Sequence, residues 1–243
     1  MEHDTQASAG ARQIAAIDLG SNSFHMVVAR VEHGEVRPVE RLAETVQLAA
    51  GMANGQLAEA AMARGLACLA RFRQALDVLA PGDVRVVGTN ALRVARNGRE
   101  FSAAAEAVLG CPVEVIPGRE EARLVYLGVA HTLADDETRL VVDIGGGSTE
   151  FIIGERFEPR LMESLHMGCV SYAERYFADG NITKKAFDNA YFSAYAEVLN
   201  IRSGFRKLGW TNAVGSSGTL RSLESIIAAQ GWADSGISAA NLE

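Results

Sequence analysis

One pattern occurs twice in this 243-residue sequence, and it limits the possible folds more than any other feature. The segments IAAIDLGSNSFHMVVA (14–29) and RLVVDIGGGSTEFIIG (139–154) share an order: an apolar run, Asp, an aliphatic residue, Gly, two small or polar residues, Ser, and a second apolar run. Asp18 and Asp143 stand 125 residues apart. An apolar run closed by Asp and Gly reads as a buried strand entering a tight turn.

The flanking segments follow the same order. In the first half, strands are predicted at 14–20, 24–31 and 36–42, the last two joined at His33-Gly34. Leu66, Leu69, Phe72, Leu76 and Leu79, spaced by three and four, predict an amphipathic helix from about Leu57 that ends before Pro81-Gly82. Strand 84–88, a helix near 100–109, strand 113–116 and a helix over 119–132 complete this half. In the second half, the motif leads to a strand near 159–165, helices from about 172 and over 183–207, strand 211–215 and a helix from 219. The fourth strand begins 66 residues after Asp18, at Val84, and 68 after Asp143, at Thr211. An internal structural repeat is therefore predicted: a leader over 1–11, one α/β lobe over 12–133 and a second over 134–243. About 114 residues separate Asp18 from Thr132, whereas 100 follow Asp143, so the second lobe is expected to be truncated, without a last strand and helix.

Composition excludes several classes of function. With 48% hydrophobic residues and 5 prolines the chain can bury a core. The three cysteines are far apart and form no CxxC pair, which argues against a disulfide framework and points to the reducing cytoplasm. No window approaches the ~18 apolar residues of a membrane span, although peripheral membrane association stays open. The net charge of −7 opposes nucleic-acid binding, which depends on neutralising phosphates with basic side chains. The sequence contains no GxxxxGK[ST] loop, no dinucleotide fingerprint, no GxSxG elbow and no HxxxH pair.

A glycine-rich turn between strands can bring backbone N–H groups to an anion. Gly20-Ser21-Asn22-Ser23 and Gly145-Gly146-Gly147-Ser148 both suit that role, and facing each other across a cleft they would hold a phosphate chain from two sides. Asp18 and Asp143, ending their strands, are placed to hold Mg²⁺. Read alone, either turn is also explained as a tight hairpin. Glu120 and Glu121 open the 119–132 helix, where acids interact favourably with the helix dipole, a sufficient structural reason for both. Adjacent helical positions point ~100° apart, so only one of the two can face a given site. His25, within a strand, reads as a packed or hydrogen-bonded residue rather than a ligand.

Six blocks, in order, carry a family resemblance: DLGSNSFHMVVAR (18–30), VVGTNALR (86–93), GREEARLVYLGVAHT (118–132), VVDIGGGSTEFIIG (141–154), HMGCVSYAERYF (166–177) and GSSGTLRS (215–222). Together they resemble the bacterial Ppx/GppA phosphatases, exopolyphosphatases and guanosine pentaphosphate phosphohydrolases of the stringent response. The resemblance extends over about residues 12–243. It implies an α/β fold of duplicated actin-like lobes, the ribonuclease H-like architecture shared with acetate and sugar kinases, Hsp70 and actin. It implies that Glu121 is the general base and that Asp143 and Glu150 serve Mg²⁺, with Asp18 a further candidate. The phosphate contacts it implies are Ser21, Asn22, Ser23, Thr89, Arg93 and Gly145, Gly146, Gly147 and Ser148. A guanidinium such as Arg93 can fork onto phosphate oxygens, although locally it also reads as a surface charge. Ser217-Gly218-Thr219 corresponds to the nucleoside side of actin-fold ATPases and is equally explained as a helix N-cap.

The expected activity is Mg²⁺-dependent release of orthophosphate from polyphosphate, with the guanosine pentaphosphate 5′-phosphatase reaction as the alternative. FEPRLMES and MGCVS resemble the first branch, whereas GCPVEVI and YLGVAHT resemble the second. An actin- or Hsp70-like ATP-binding module is a more distant reading, and a kinase is disfavoured because no block for an acceptor pocket is visible. Full-length family members continue further and often add a helical module, and a homodimer is expected of them.

Overall fold

The computed structural model describes residues 12–76, 79–133 and 136–242. The predicted leader over 1–11 lies outside the described residues. The chain divides into two compact units, one ending at Val115 and the other beginning at Ile116.

The first unit opens with strands β1 (Arg12–Leu19), β2 (Ser23–Glu32) and β3 (Glu35–Thr45). Between β2 and β3, His33 and Gly34 adopt φ of 52° and 81°, the left-handed pair that a two-residue hairpin turn requires. Helix α1 (Glu59–Ala75) buries Ala61, Gly65, Cys68, Leu69 and Phe72, a stripe with helical period. Strand β4 (Val84–Gly88), helices α2 (Asn90–Val94) and α3 (Gly98–Leu109), and strand β5 (Val113–Val115) follow. The sheet order is β3-β2-β1-β4-β5, with the first three strands antiparallel and β4 and β5 parallel to β1. Ile17, Leu19, Phe24 and Met26 face a core completed by Leu69, Phe72 and Phe101.

The second unit begins with helix α4 (Gly118–Thr132). Strands β6 (Thr138–Ile144), β7 (Thr149–Glu155) and β8 (Glu158–Leu165), helices α5 (Cys169–Tyr176) and α6 (Lys184–Leu208), strand β9 (Asn212–Gly215) and helix α7 (Gly218–Ala229) complete it. Its sheet runs β8-β7-β6-β9, with the same antiparallel hairpins and β9 parallel to β6. Among the described residues this is the first sheet without its fifth strand, so both units show the ribonuclease H-like strand order expected of a repeat. The repeat extends to irregularities: the ladder shifts register between Val28 and Ala29 in one unit and between Ile153 and Gly154, 125 positions later, in the other.

One boundary differs from expectation. The 118–132 helix was expected to close the first lobe, with the second starting at 134. Instead α4 belongs with the second sheet, where Ala122, Tyr126 and Ala130 bury against Val141 and Ile152. The approach is close because position 154 is glycine: a Cβ there would lie 2.2 Å from the Tyr126 ring. The Tyr126 hydroxyl donates to the Arg156 carbonyl at 3.1 Å. Among the described residues, no helix is long and apolar enough to cross a membrane.

Candidate active site

Because side chains alternate along a strand, the residues of β6 and β7 divide between two faces. Val141 and Ile152 face α4, and so do Asp143 and Glu150, which are direct partners across the β6–β7 ladder. Both acids lie at the strand ends beside the Gly145–Ser148 turn, and Glu150 is only 2% exposed. Burial, followed by the negative charge of Glu121 and, more weakly, that of Asp143, pushes the Glu150 carboxyl up to about 7. Hydrogen bonds from Ser164 and Ser148 oppose that shift. The Ser164 hydroxyl on β8 donates to Glu150 Oε1 at 2.8 Å, and the Ser216 hydroxyl after β9 donates to Asp143 Oδ2 at 2.5 Å.

The adjacent glutamates of α4 separate as helical geometry demands. Glu120 is held by the Arg123 guanidinium at 2.6 and 2.8 Å, which keeps its carboxyl below the usual range. Glu121 is instead the neighbour that raises Glu150. Glu150 thus lies within electrostatic reach of both Glu121 and Asp143.

The glycine-rich turn is fixed from two sides. The Gly145 amide donates to the Ser148 carbonyl at 2.9 Å, and the Gly145 and Gly146 carbonyls accept from the first amides of α5, Cys169 and Val170, at 2.9 Å each. Gly168 packs on the turn so closely that a Cβ would lie 2.4 Å from the Gly147 nitrogen. On the other side, Ser217 caps α7 by accepting from the Leu220 amide and also accepts from the Ile144 amide, both at 3.3 Å. Thr219 donates to the Ile144 carbonyl at 2.8 Å. The N-cap reading of Ser217 is therefore correct, and the cap also anchors the strand that leads into the turn. The Gly146 and Gly147 amides donate to no main-chain carbonyl among the described residues, so they are available to an anion.

The remaining predicted residues lie in the first unit. Ser21 is buried, and the Asn22 carbonyl accepts from the Val46 and Gln47 amides at 2.9 and 2.7 Å, so this turn is braced by the chain after β3. Ser23 lies 3.4 Å from the Asn22 side-chain amide. A Cβ at Gly20 would meet the Ser23 carbonyl at 2.7 Å, so close approach explains this glycine. Thr89 is buried, its hydroxyl 3.4 Å from the Leu19 carbonyl, and Arg93 is half-buried on α2. Asp18 is half-buried and faces His25 across the β1–β2 ladder, the register position that Glu150 holds opposite Asp143. His25 is exposed, which removes the packed half of its reading and leaves the hydrogen-bonded half standing.

Among the described residues, no cluster of three or more His, Cys, Asp or Glu side chains is arranged to hold a metal. Mg²⁺ rarely requires one, because it is ordinarily bound by one or two carboxylates with water and substrate phosphate. Asp143 and Glu150, oriented by serines and crowded by like charge, fit that donor chemistry. Sequence reasoning missed Ser164, Ser216 and Gly168. All three lie in quoted segments, but their roles depend on tertiary pairing and packing that local sequence does not display.

Two units of ribonuclease H-like strand order, with a carboxylate group beside an anchored glycine turn, define a duplicated α/β protein. The model of the Ppx/GppA phosphatase family matches residues 27–243, and the chain belongs to that family. Among solved structures, it is similar to an exopolyphosphatase-like protein at 28% identity and a TM-score of 0.83, over 90% of this chain and 70% of that one. An exopolyphosphatase from Cytophaga hutchinsonii matches at 27% identity and a TM-score of 0.81, over 93% and 73%. The Ppx/GppA enzyme of Aquifex aeolicus matches at 28% identity and a TM-score of 0.70, over 89% and 71%.

Proposed function

We propose that the protein is a Mg²⁺-dependent exopolyphosphatase that uses water to release orthophosphate from the end of a polyphosphate chain. The observation that carries this reading is the pairing of Asp143 with Glu150 at the strand ends beside the Gly145–Ser148 turn, with Glu121 near enough to raise Glu150. Similarity to the exopolyphosphatase of Cytophaga hutchinsonii supports the choice of substrate.

Phosphoryl transfer depends mainly on positioning and charge neutralisation. The Gly146 and Gly147 amides would hold the terminal phosphate, and Glu121 would accept the proton of the attacking water as general base. Asp143 and Glu150 would hold Mg²⁺, which supplies positive charge to the phosphoryl oxygens when bound. Ser164 and Ser216 keep those carboxylates oriented. In the first unit, Ser21, Asn22, Ser23, Thr89 and Arg93 are the proposed phosphate contacts, and Asp18 is a further proposed acid. The products are orthophosphate and a chain one unit shorter.

The test is phosphate release from polyphosphate, guanosine pentaphosphate and ATP side by side, with and without Mg²⁺. Polyphosphate should be hydrolysed fastest, and chelation should abolish release. Glu121→Gln should lower turnover by about 10² or more, whereas Glu120→Gln, which loses only its pairing with Arg123, should change it little. Release from guanosine pentaphosphate alone would overturn the substrate assignment, and equal activity of Glu121→Gln and wild type would remove Glu121 from the mechanism.

A further inference from the structure

Helix α4 begins without the usual support. Its N-cap is Pro117, which has no side-chain oxygen to accept an amide, and no side-chain cap is present. The second helical residue, Arg119, is a cation at the end where the helix dipole favours anions. Two residues later, Glu121 is close enough to Glu150 to raise it, so when both carboxylates are ionised they push the start of α4 away from β7. Local forces therefore loosen the turn that carries Glu121. An ion pair opposes them. Arg119 Nη2 donates to Glu163 Oε1 on β8 at 2.6 Å. β8 is an edge strand of its sheet, where an arginine side chain from α4 can reach it. Glu163 stands between Met162, which packs against the cluster under α4, and Ser164, which donates to Glu150.

We infer that Arg119 and Glu163 are positioning residues, and that their ion pair clamps the first turn of α4, and with it Glu121, to β8. The clamp ties two parts of the site together, because β8 supplies the serine that orients Glu150 and α4 supplies the acid beside it. Arg119 is exposed and Glu163 half-buried, so the pair contributes little to global stability. Its effect is on placement, since a displacement of about 1 Å can cost about 10²-fold in rate. This link to catalysis rests on the proposed phosphohydrolase function, whereas the clamp itself does not.

Arg119→Met, Glu163→Gln and the two combined test the clamp. Each single variant should lower kcat on polyphosphate about tenfold with KM little changed. The double variant should lose no more than either single, because each removes the same contact. Arg119→Lys, which keeps the charge, should retain most of the turnover. The Glu120 and Glu121 amides both donate to the Pro117 carbonyl at 3.0 Å, and their hydrogen exchange should quicken in both single variants while that of β6 and β7 stays as in wild type. Wild-type turnover or unchanged exchange in Glu163→Gln, or losses that multiply in the double variant, would overturn the clamp. A raised KM in Arg119→Met alone would also overturn it, by making Arg119 a direct phosphate contact. Quickened exchange in the variants of a wild type that releases no phosphate would uphold the clamp and count against the proposed function instead.

Discussion

Glu150 is the residue where burial and like charge act together, and its protonation should be visible in stability. Its ordinary value is 4.5, and the fold pushes it up to about 7. Between those limits the folded chain keeps a proton that the unfolded chain has lost, so the folded state gains from acid. That contribution is complete below about 4.5 and is lost as pH rises through 7. The slope for one proton is at most about 1.4 kcal/mol per pH unit. Urea unfolding in chelator should therefore show wild-type stability falling between pH 5 and 7 relative to Glu150→Gln. Parallel curves for the two proteins would show that Glu150 is ionised throughout this range.

At the scale of elements, α4 depends on a single missing side chain in β7. Gly154→Ala would drive a methyl group into the Tyr126 ring and the Glu158 carbonyl. Overpacking of this kind typically costs 1–3 kcal/mol, about the upper end here because backbone is involved. Since α4 carries Glu121 at its start, turnover should fall with stability, and denaturant unfolding together with phosphate release would measure both. An unchanged midpoint would mean that the helix shifts freely. The elements themselves were largely legible in the sequence. Strand 84–88 was predicted to the residue, because a short apolar run between turn signals leaves few alternatives. The short helix α2 was missed because five residues do not show a period. The partner of α4 was hidden for a different reason: its apolar stripe establishes that it packs, whereas the absence of a Cβ at Gly154 decides where. Within the candidate site, Asp143 and the glycines could be read from the duplicated motif. The role proposed for Glu121 came only through resemblance, and Ser164 became visible only once β8 was paired with β7.

Taken as a whole, the molecule divides its core unequally. The first unit gathers Phe24, Phe72, Phe101 and a row of leucines, whereas the buried cluster under α4 consists of Ala122, Tyr126, Ala130, Val141 and Ile152. Helix α6 leaves Phe187, Tyr191, Phe192 and Tyr195 exposed. Local opening is governed by such differences in buried apolar contact. Amide hydrogen exchange should therefore give β1 and β4 the strongest protection, with β9, α6 and α7 exchanging earlier. Uniform protection across the chain would show instead a single cooperative structure. The register shift shared at Val28/Ala29 and Ile153/Gly154 has a consequence for design. Each hairpin has its twist offset at the same point, so the backbones of β1–β2–β3 and β6–β7–β8 correspond, although Ala29 stands where Gly154 admits the Tyr126 ring. They are not interchangeable in charge, because the position opposite the aspartate holds His25 in one and Glu150 in the other. A chimera carrying the first hairpin twice, with glycine in place of Ala29 in the second copy to admit the Tyr126 ring, would keep the architecture and lose an acid, separating what the duplication contributed to the fold from what later divergence contributed to the chemistry.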